Sequence, residues 1–248
     1  MLTSNGRTVR RRGEWLGLWL LIFLLGRPVY AQEAANAAPL TTTEVVERMV
    51  AMNQRRSEAL RSYNVTRVYH VENTKFNRKA DLVARMTYYW PDEKKFTVLS
   101  ESGSGVLRKF VLRRAMESEQ EAAKKDVRRI TDIHPNNYDF RLMGSEQDGG
   151  RQLYVLEATP KVKNKFSFRG RIWVDAQDFA VVRVEGQPAK NPSWWLKRVD
   201  IRQSYQKLGD FWLPLKNESV SQVRIFGRSS FIIQYKDYQI LDPPGAQP

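Results

Sequence analysis

Residues 166–186 read FSFRGRIWVDAQDFAVVRVEG, and small or apolar side chains alternate with other side chains along both halves of this stretch. One parity of the first half consists of Phe166, Phe168, Gly170, Ile172 and Val174. After the polar step at 175–178, the corresponding positions are Ala180, Val182 and Val184. A period of two is typical of a β-strand with one buried face. The stretch therefore predicts a β-hairpin with one apolar face, which the rest of the protein or a ligand must cover.

The same alternation predicts strands over most of the chain. Besides the hairpin strands at 165–175 and 179–185, the predicted strands are 63–71, 80–90, 96–98, 138–143, 152–158, 195–205, 211–223 and 230–241. Turn residues such as Asp148-Gly149-Gly150 and Leu208-Gly209-Asp210 mark the breaks between strands. No helical pattern interrupts the strands after residue 138, so consecutive strands are expected to pair as an antiparallel meander.

Two helices are predicted outside this meander. Thr41 and Glu44 have the spacing of a capping box, which opens a helix that extends to about Arg61. Its apolar stripe consists of Val45, Val46, Met49, Val50, Met52 and Leu60, and its outward positions include Arg48, Arg55, Arg56 and Glu58. The second helix is predicted from Val106 to about Val127, although the segment VLRKFVL alone would also fit a strand.

The first 31 residues have the pattern of a secretory signal peptide. Four arginines precede the apolar run WLGLWLLIFLLG, and small side chains precede a cleavage site between Ala31 and Gln32. The alternative is an uncleaved membrane anchor, but this apolar run is shorter than the roughly 20 residues that span a bilayer. We therefore expect a periplasmic protein with a flexible mature N-terminus at 32–40, a single domain at 41–241 and a polar tail at 242–248.

The composition excludes some sources of stability and favours some partners. The chain contains no cysteine, so its stability cannot depend on disulfides. After residue 31, 36 basic and 26 acidic residues remain, and the protein is strongly basic. On an exported protein this charge favours contact with an anionic membrane surface, although a solvated positive surface is an equally good interpretation. No basic run with interleaved aromatic residues indicates nucleic-acid binding.

The sequence lacks the common catalytic signatures. The only histidines, His70 and His134, lie far apart in the sequence, and neither belongs to an HExxH motif. The motifs of serine hydrolases, P-loop NTPases and dinucleotide-binding folds are also absent. We therefore expect a protein that is not an enzyme and that needs no metal or cofactor. A hydrolase of lipid or cell-wall polymer remains the alternative in the enzyme class, because carboxylate pairs cannot be recognised in a sequence.

Two adjacent tryptophans, Trp194 and Trp195, lie at the start of a predicted strand. Side chains alternate along a strand, so one of the two is expected on the outer face, close to Lys197 and Arg198. An exposed indole beside two cations suits contact with a membrane interface or with a membrane protein. Ordinary packing of the tryptophans at the rim of the core is the alternative.

Four segments resemble the periplasmic lipoprotein carrier superfamily of LolA and LolB, which sorts outer-membrane lipoproteins and includes the N-terminal domain of RseB. The segments are Asn137-Tyr138-Asp139-Phe140, Gly170-Arg171-Ile172-Trp173-Val174-Asp175, Phe211-Trp212-Leu213-Pro214 and Tyr235-Lys236-Asp237-Tyr238. The resemblance covers about residues 41–241. It implies a mainly β fold with two helices, in which about ten antiparallel strands form an incompletely closed barrel with the helices on its concave face.

The resemblance also implies a function, namely a non-catalytic carrier that binds the acyl chains of a lipoprotein or another lipid. The expected lining of the apolar pocket is Met49, Met52, Leu82, Ala84, Met86, Tyr88, Phe110, Phe166, Phe168, Ile172, Val174, Val182 and Val184. The alternative is a sensor or scaffold, similar to RseB, that binds a membrane protein partner. In either role we expect a monomer. A core completely filled by the protein's own side chains would leave no room for a lipid.

Overall fold

Ten antiparallel strands form one sheet in the computed structural model, which describes residues 39–91, 93–190, 196–224 and 227–241. The strands are β1 Ser62–Asn73, β2 Arg78–Tyr89, β3 Glu93–Gly103, β4 Tyr138–Asp148, β5 Arg151–Pro160, β6 Phe168–Asp175, β7 Val181–Pro188, β8 Leu196–Leu208, β9 Phe211–Val223 and β10 Gly227–Leu241. Neighbours in sequence pair with each other, except that the helical region separates β3 from β4 and that β1 pairs with β10. β3 and β4 are the two edges, so the sheet is not closed into a barrel. The predicted fold class, an incompletely closed antiparallel sheet with helices, is confirmed.

A row of directly paired residues crosses all ten strands and defines the inner face of the sheet. From edge to edge the row is Leu142, Leu156, Ile172, Val184, Gln203, Asn217, Ile233, Tyr69, Leu82 and Glu101. Directly paired residues of adjacent strands point to the same face. The row is apolar on both sides of its centre and polar at Gln203 and Asn217. The inner face therefore has two separate apolar areas.

Charged residues occupy the outer face beside this row. The cross-strand neighbours of β4 to β9 are Arg141, Glu157, Arg171, Glu185, Arg202 and Glu218, which alternate in sign. Arg141 and Glu157 form an ion pair at 2.8 Å, and Arg202 and Glu185 form one at 2.6 Å. Opposite charges in register stabilise paired strands. Along these strands, charged residues thus mark the solvent side and apolar residues mark the core side.

Glycines at the β6–β7 pair allow two strands to approach very closely on the inner face. Gly170 pairs directly with Gly186. A Cβ atom at Gly170 would lie 2.0 Å from the carbonyl oxygen of Glu185 and 2.6 Å from the Cα atom of Gly186. No side chain fits there, and glycine pairs of this kind mark tight bends in a sheet. Gly170 therefore occupies its place in the alternating pattern because the two backbones lie too close for a side chain, and it adds no side chain to the core.

Helix α1, Thr42–Ala59, covers one of the two apolar areas. The predicted capping box is present, because the Thr41 hydroxyl accepts a hydrogen bond from the Glu44 amide and the Glu44 carboxylate accepts one from the Thr41 amide at 2.8 Å. Its buried side chains Val45, Val46 and Met49 pack against β5, β6 and β7. We call this group the α1 cluster; its buried sheet residues are Leu156, Ile172, Val174, Val181 and Val184.

The region predicted as one helix from Val106 to Val127 consists of several helical segments. They are α2 Gly105–Leu107, a π-helical segment Arg108–Leu112, α3 Arg113–Ala123 and α4 Lys125–Thr131. The extended backbone of Lys124, with ψ of 140°, separates α3 from α4. Leu112 and Met116 of this region pack on β1 and β2 and on Leu213, Ile233 and Tyr235. We call this group the α3 cluster; its buried residues from β1 and β2 are Tyr63, Val65, Tyr69, Val71, Ala80, Leu82, Ala84 and Met86.

The described residues from Leu40 onwards belong to one structural unit, in which both clusters contribute to the core. The predicted signal peptide, the first part of the predicted flexible N-terminus and the predicted tail at 242–248 lie outside the described residues. The boundaries proposed for these segments stay predictions.

Candidate functional site

A cleft lies beside α1 and α4, between the α1 cluster and the α3 cluster. Its volume is about 510 Å³. The lining residues come from α1, from α4 and the residues after it, and from β7 to β9: Val50, Asn53, Gln54, Arg56, Ser57, Leu60, Arg128, Asp132, Ile133, His134, Val181, Tyr205, Phe211, Trp212 and Leu213. We call it the interhelical cleft. Both helices and the inner face of the sheet contribute to its lining.

The floor of the cleft is apolar and lies where two strands part. β7 and β8 pair from Arg183 and Ser204 to Gly186 and Ile201, and the paired region stops before Val181 and Tyr205. These two side chains and Leu213 form the floor. Val181 and Leu213 are almost fully buried. The open seam of the sheet therefore leaves apolar side chains at the base of the cleft.

Tyr205 has a polar atom in this apolar floor. Burial raises the pKa of its phenol to about 12. The group is therefore neutral at physiological pH, and its hydroxyl can donate one hydrogen bond. Among the described residues its hydroxyl has no hydrogen-bond partner.

Asp178 connects α1 to the sheet at the inner end of the cleft. Its backbone carbonyl accepts a hydrogen bond of 2.5 Å from Arg56 Nη2. Its carboxylate accepts hydrogen bonds from Trp212 Nε1 at 2.9 Å and from Lys207 Nζ at 2.7 Å. Partial burial acts to raise the pKa of Asp178, but these two donors and the charges of Lys207 and Arg56 lower it below its ordinary value. The carboxylate is therefore ionised at neutral pH and bonds to β8 and β9, while the carbonyl bonds to α1.

A tight turn fixes the position of Asp178. The Asp175 carboxylate accepts hydrogen bonds from the Gln177 and Asp178 amides at 2.9 and 2.8 Å. Phe179 follows in the left-handed region, with φ of 48°, and its ring packs 6.2 Å from the Tyr154 ring and beneath Arg48 of α1. The polar step at 175–178, which the sequence indicated only as a turn, therefore positions a group that bonds to α1.

The mouth of the cleft is polar. Arg128 of α4 donates a hydrogen bond of 2.9 Å to the carbonyl of Pro91, and its Nε atom lies 3.5 Å from an Asp132 carboxylate oxygen. The Nδ1 atom of His134 accepts a hydrogen bond of 3.1 Å from the Asn136 amide. A polar entrance above an apolar floor suits a ligand with one polar end.

Most of the predicted lining residues lie in the filled cores and do not line the interhelical cleft. Met49, Ile172 and Val174 are fully buried in the α1 cluster, and Phe168 and Val184 belong to the same cluster. Leu82, Ala84 and Met86 are fully buried in the α3 cluster. Met52 is half-buried on α1, and Tyr88 lines a neighbouring cavity of about 340 Å³. The fully buried members of this set are surrounded by the protein's own side chains, and contact of the set with a ligand stays a prediction.

Two predicted positions differ from the structure. Phe166 precedes β6, which begins at Phe168, because Asn164 caps a turn by accepting hydrogen bonds from the Phe166 and Ser167 amides at 2.7 and 2.8 Å. Val182 packs on the outer face with Trp173. The bulge that pairs Val174 with Val181 and Trp173 with Arg183 reverses the alternation at this point.

Other predicted positions lie at or beyond the limits of the described structure. The side chain of Phe110 and the residues Trp194 and Trp195 lie outside the described residues. Lys197 and Arg198 are exposed, as predicted, but Arg198 pairs with Asp200 at 2.7 Å. Ala31 and Gln32, the predicted cleavage site, are also outside the described residues.

Arg56 lines the cleft, although the sequence analysis placed it on the outer side of α1. The spacing of α1 contains a signal for the inward position. Met49, Asn53, Arg56 and Leu60 follow one another at intervals of three or four residues, which places them on one helix face. Polar residues therefore interrupt the apolar stripe of α1 where the helix passes over the cleft.

A buried ion cluster lies beside the cleft, within the α3 cluster. Arg67 of β1 is only 2% exposed, and both of its terminal nitrogens bond to the Glu119 carboxylate of α3. Lys94 of β3 bonds to the same carboxylate at 2.8 Å, and the Arg67 guanidinium lies 4.7 Å from the centre of the Tyr235 ring. Burial alone would raise the pKa of Glu119, but Lys94 and Arg67 lower it to about 2. The cluster holds α3 against the sheet.

Among residues 39–241 that are described, no three metal-ligating side chains come together, and no helix is both long and apolar enough to cross a membrane. Residues 80–238 match the sequence model of a family that is described as a family of unknown function (DUF5686). The chain belongs to the DUF5686 family. No curated protein sequence matches this DUF5686 protein.

Several solved structures are similar to this DUF5686 protein. A DUF1329 family protein from Desulfovibrio piger is 14% identical, with a TM-score of 0.45 and coverage of 84% of this chain and 96% of that chain. An outer membrane lipoprotein-sorting protein domain from Vibrio parahaemolyticus is 13% identical, with a TM-score of 0.44 and coverage of 83% and 94%. A LolA superfamily protein from Nitrosomonas europaea is 12% identical, with a TM-score of 0.38 and coverage of 83% and 96%.

The low pKa of Glu119 predicts how the stability of the DUF5686 protein depends on pH. Glu119 is ionised above its unfolded pKa of 4.5, where its bonds to Arg67 and Lys94 contribute fully, and the contribution is lost as the pH falls through about 2. We expect Glu119→Gln to lower the free energy of unfolding at pH 7 by roughly 3 kcal/mol, because the substitution leaves Arg67 buried without its counter-charge. Urea unfolding at pH 7 and pH 3 measures the difference, which should be smaller at pH 3.

Glu117→Gln is the matched control, since Glu117 is exposed on the same helix. It should change the stability by less than about 0.5 kcal/mol at either pH. If the two variants were equally stable at pH 7, the ion cluster would not hold α3 in place.

Proposed function

We propose that this DUF5686 protein is a non-catalytic binding protein that takes an acyl chain of a lipid or lipoprotein into the interhelical cleft. The observation that carries the proposal is the cleft itself, about 510 Å³ of space over an apolar floor. Binding sites for small molecules typically have volumes of about 300–1,000 Å³, with apolar walls and a few polar groups. The cleft has this size and this distribution of polarity.

The two clusters are close-packed, so the walls of the cleft between them are expected to keep their shape when a ligand binds. Met49 and Ile172 on one side, and Leu82 and Leu112 on the other, are fully buried by protein atoms. Close-packed interiors resist deformation, so a guest is expected to enter the existing gap and not to displace a cluster. Each methylene group that leaves water for such a gap contributes about 0.8 kcal/mol to binding. An acyl chain therefore gains affinity in proportion to the length that the cleft accepts.

The proposal includes an extracytoplasmic location, with residues 1–31 as a cleaved signal peptide. Its support is the basic start, the apolar run and the small residues before Ala31 in the sequence. The mass of the N-terminal peptide of the protein purified from its own cells tests this. A mature chain that begins at Gln32 agrees with the proposal, and a chain that retains the first 31 residues contradicts it.

Ser57→Trp tests the binding function. Ser57 lies at the rim of the cleft on α1, and an indole at this position would narrow the mouth. We expect the variant to bind the uncharged fluorophore 1-N-phenylnaphthylamine about tenfold more weakly, because the added ring takes up space that the ligand needs at the mouth; a tenfold loss corresponds to about 1.4 kcal/mol. Fluorescence titration of the purified full chain measures the dissociation constant.

The matched control is Ala51→Trp, which adds the same side chain to an exposed position of the same helix outside the cleft. It should bind the fluorophore as the unchanged protein does. Failure of the unchanged protein to bind the fluorophore would overturn the proposed function. Equal affinities for the three proteins would place binding outside the interhelical cleft.

Crosslinking in cells to a single membrane protein, with no bound lipid, would favour the sensor or scaffold.

A further inference from the structure

We infer that the interhelical cleft selects a single-chain acyl ligand with an anionic headgroup, which accepts hydrogen bonds from Arg56 and Tyr205. The inference rests on the proposed function and adds the chemical class of the ligand. A carboxylate and a phosphate share the required chemistry, since each presents charged oxygen atoms to these donors. The anionic end would lie at the inner wall of the cleft, and the chain would lie along the apolar floor.

Arg56 has unused hydrogen-bonding capacity in the wall of the cleft. Its Nη2 atom donates to the Asp178 carbonyl, while its Nη1 atom is buried and has no partner among the described residues. A buried donor of a charged group without an acceptor destabilises the protein, because it has lost its hydrogen bonds to water. An acceptor oxygen of a ligand at this place would remove that penalty. The described residues contain five further buried donors without a partner, and Arg56 Nη1 differs from them because Arg56 lines the interhelical cleft.

The positive charge of Arg56 also lacks a direct counter-ion. Within the described part of the chain, no carboxylate forms an ion pair with Arg56. The nearest acidic group, Asp178, bonds to Arg56 through its backbone carbonyl, and its carboxylate already bonds to Lys207 and Trp212. Asp132, the acidic residue in the lining, lies beside Arg128. An anionic headgroup would therefore be the first direct ion-pair partner of this guanidinium, which now interacts with the Asp178 carboxylate only at longer range.

Tyr205 supplies the second donor from the floor of the cleft. Its hydroxyl stays protonated at neutral pH, because burial raises the pKa of the phenol to about 12. It has no hydrogen-bond partner within the described residues. A neutral hydroxyl and a guanidinium can both donate hydrogen bonds to an anion, and the guanidinium has no acceptor to offer to a neutral alcohol. Together with Val181 and Leu213 they form a site with one anion-binding end and one apolar end.

This arrangement distinguishes among acyl ligands. A fatty acid or an alkyl phosphate carries an anion at the end of its chain. The ester-linked acyl chains of a lipoprotein anchor carry no anion at the corresponding position. The cleft should therefore prefer the first group, even though both offer apolar chains of similar size.

Displacement of 1-N-phenylnaphthylamine from the full chain tests this preference. The competitors are dodecanoate, dodecyl phosphate and 1-dodecanol, which share the chain and differ in the headgroup. We expect dodecanoate, dodecyl phosphate or both to bind at least about tenfold more tightly than 1-dodecanol, as a hydrogen bond to a charged group requires. The comparison of the two anions shows which headgroup the cleft prefers.

Arg56→Gln and Arg55→Gln form the matched pair of variants. Arg55 is exposed on the same helix and outside the cleft, so its substitution removes the same charge without touching the site. Arg56→Gln should lower the preference for the anions over 1-dodecanol by about tenfold, and Arg55→Gln should keep that preference. Tyr205→Phe should lower the preference for the anions by a smaller factor, about threefold. This variant tests the site without changing the bond between Arg56 and Asp178.

The outcomes separate this inference from the proposed function. If the fluorophore and all three competitors bind, but with equal affinity for the anions and the alcohol, the cleft binds acyl chains and the inference is wrong. If Arg55→Gln reduces anion binding as much as Arg56→Gln, the preference comes from the net charge of the helix and the inference is also wrong. If neither the fluorophore nor any competitor binds, the proposed function itself fails.

Discussion

The position of the interhelical cleft depends on one constraint, namely that the cross-strand row of the inner face is polar at its centre and apolar on both sides. Leu156, Ile172 and Val184 form an apolar area at one end of the row, and Ile233, Tyr69 and Leu82 form another at the other end. Gln203 and Asn217 lie between them. Polar side chains at the centre of a sheet offer no apolar area for a helix to bury. Two separate covers, α1 and the region 105–131, therefore pack on two separate areas, and a gap remains beside them.

Polar contacts then hold the two covers at fixed positions. Arg56 bonds α1 to the turn at Asp178, and Glu119 bonds α3 to Arg67 and Lys94. Buried ion pairs contribute little net stability compared with apolar packing, but the removal of one partner is costly. These contacts therefore fix where each helix lies more than they determine how strongly it binds. The gap between the covers keeps its shape for the same reason.

The alternation of residues 166–186 was sufficient to predict the β6–β7 hairpin and the burial of Ile172 and Val174, because a period of two is a local property of a strand. It was not sufficient for Val182, since the bulge beside Val181 depends on pairing with the neighbouring strand. The capping box at Thr41 and Glu44 was likewise predictable from four residues. The break at Lys124 and the π-helical segment before it have no comparable local signal in the sequence.

The position of the cleft depends on contacts between distant segments. β7 and β8 part before Tyr205, and the sequence of either strand shows only alternation there. The spacing of Arg56 from Met49 and Leu60 places it on the helix face that points to the sheet. Its charge, however, favoured an assignment to the solvent face. The predicted pocket was therefore placed within the two cores, on residues such as Leu82 and Val174 that protein atoms already surround.

An acyl chain in the interhelical cleft would lie between the two clusters and not inside either of them. Intermolecular nuclear Overhauser effects between the methyl groups of the full chain and a bound fatty acid test this placement most directly, because they arise only between protons in close contact. We predict such effects at Leu60, Val181 and Leu213 of the cleft, and none at Leu82 and Ala84 inside the α3 cluster. Effects at Leu82 and Ala84, with none at the cleft methyl groups, would contradict this placement.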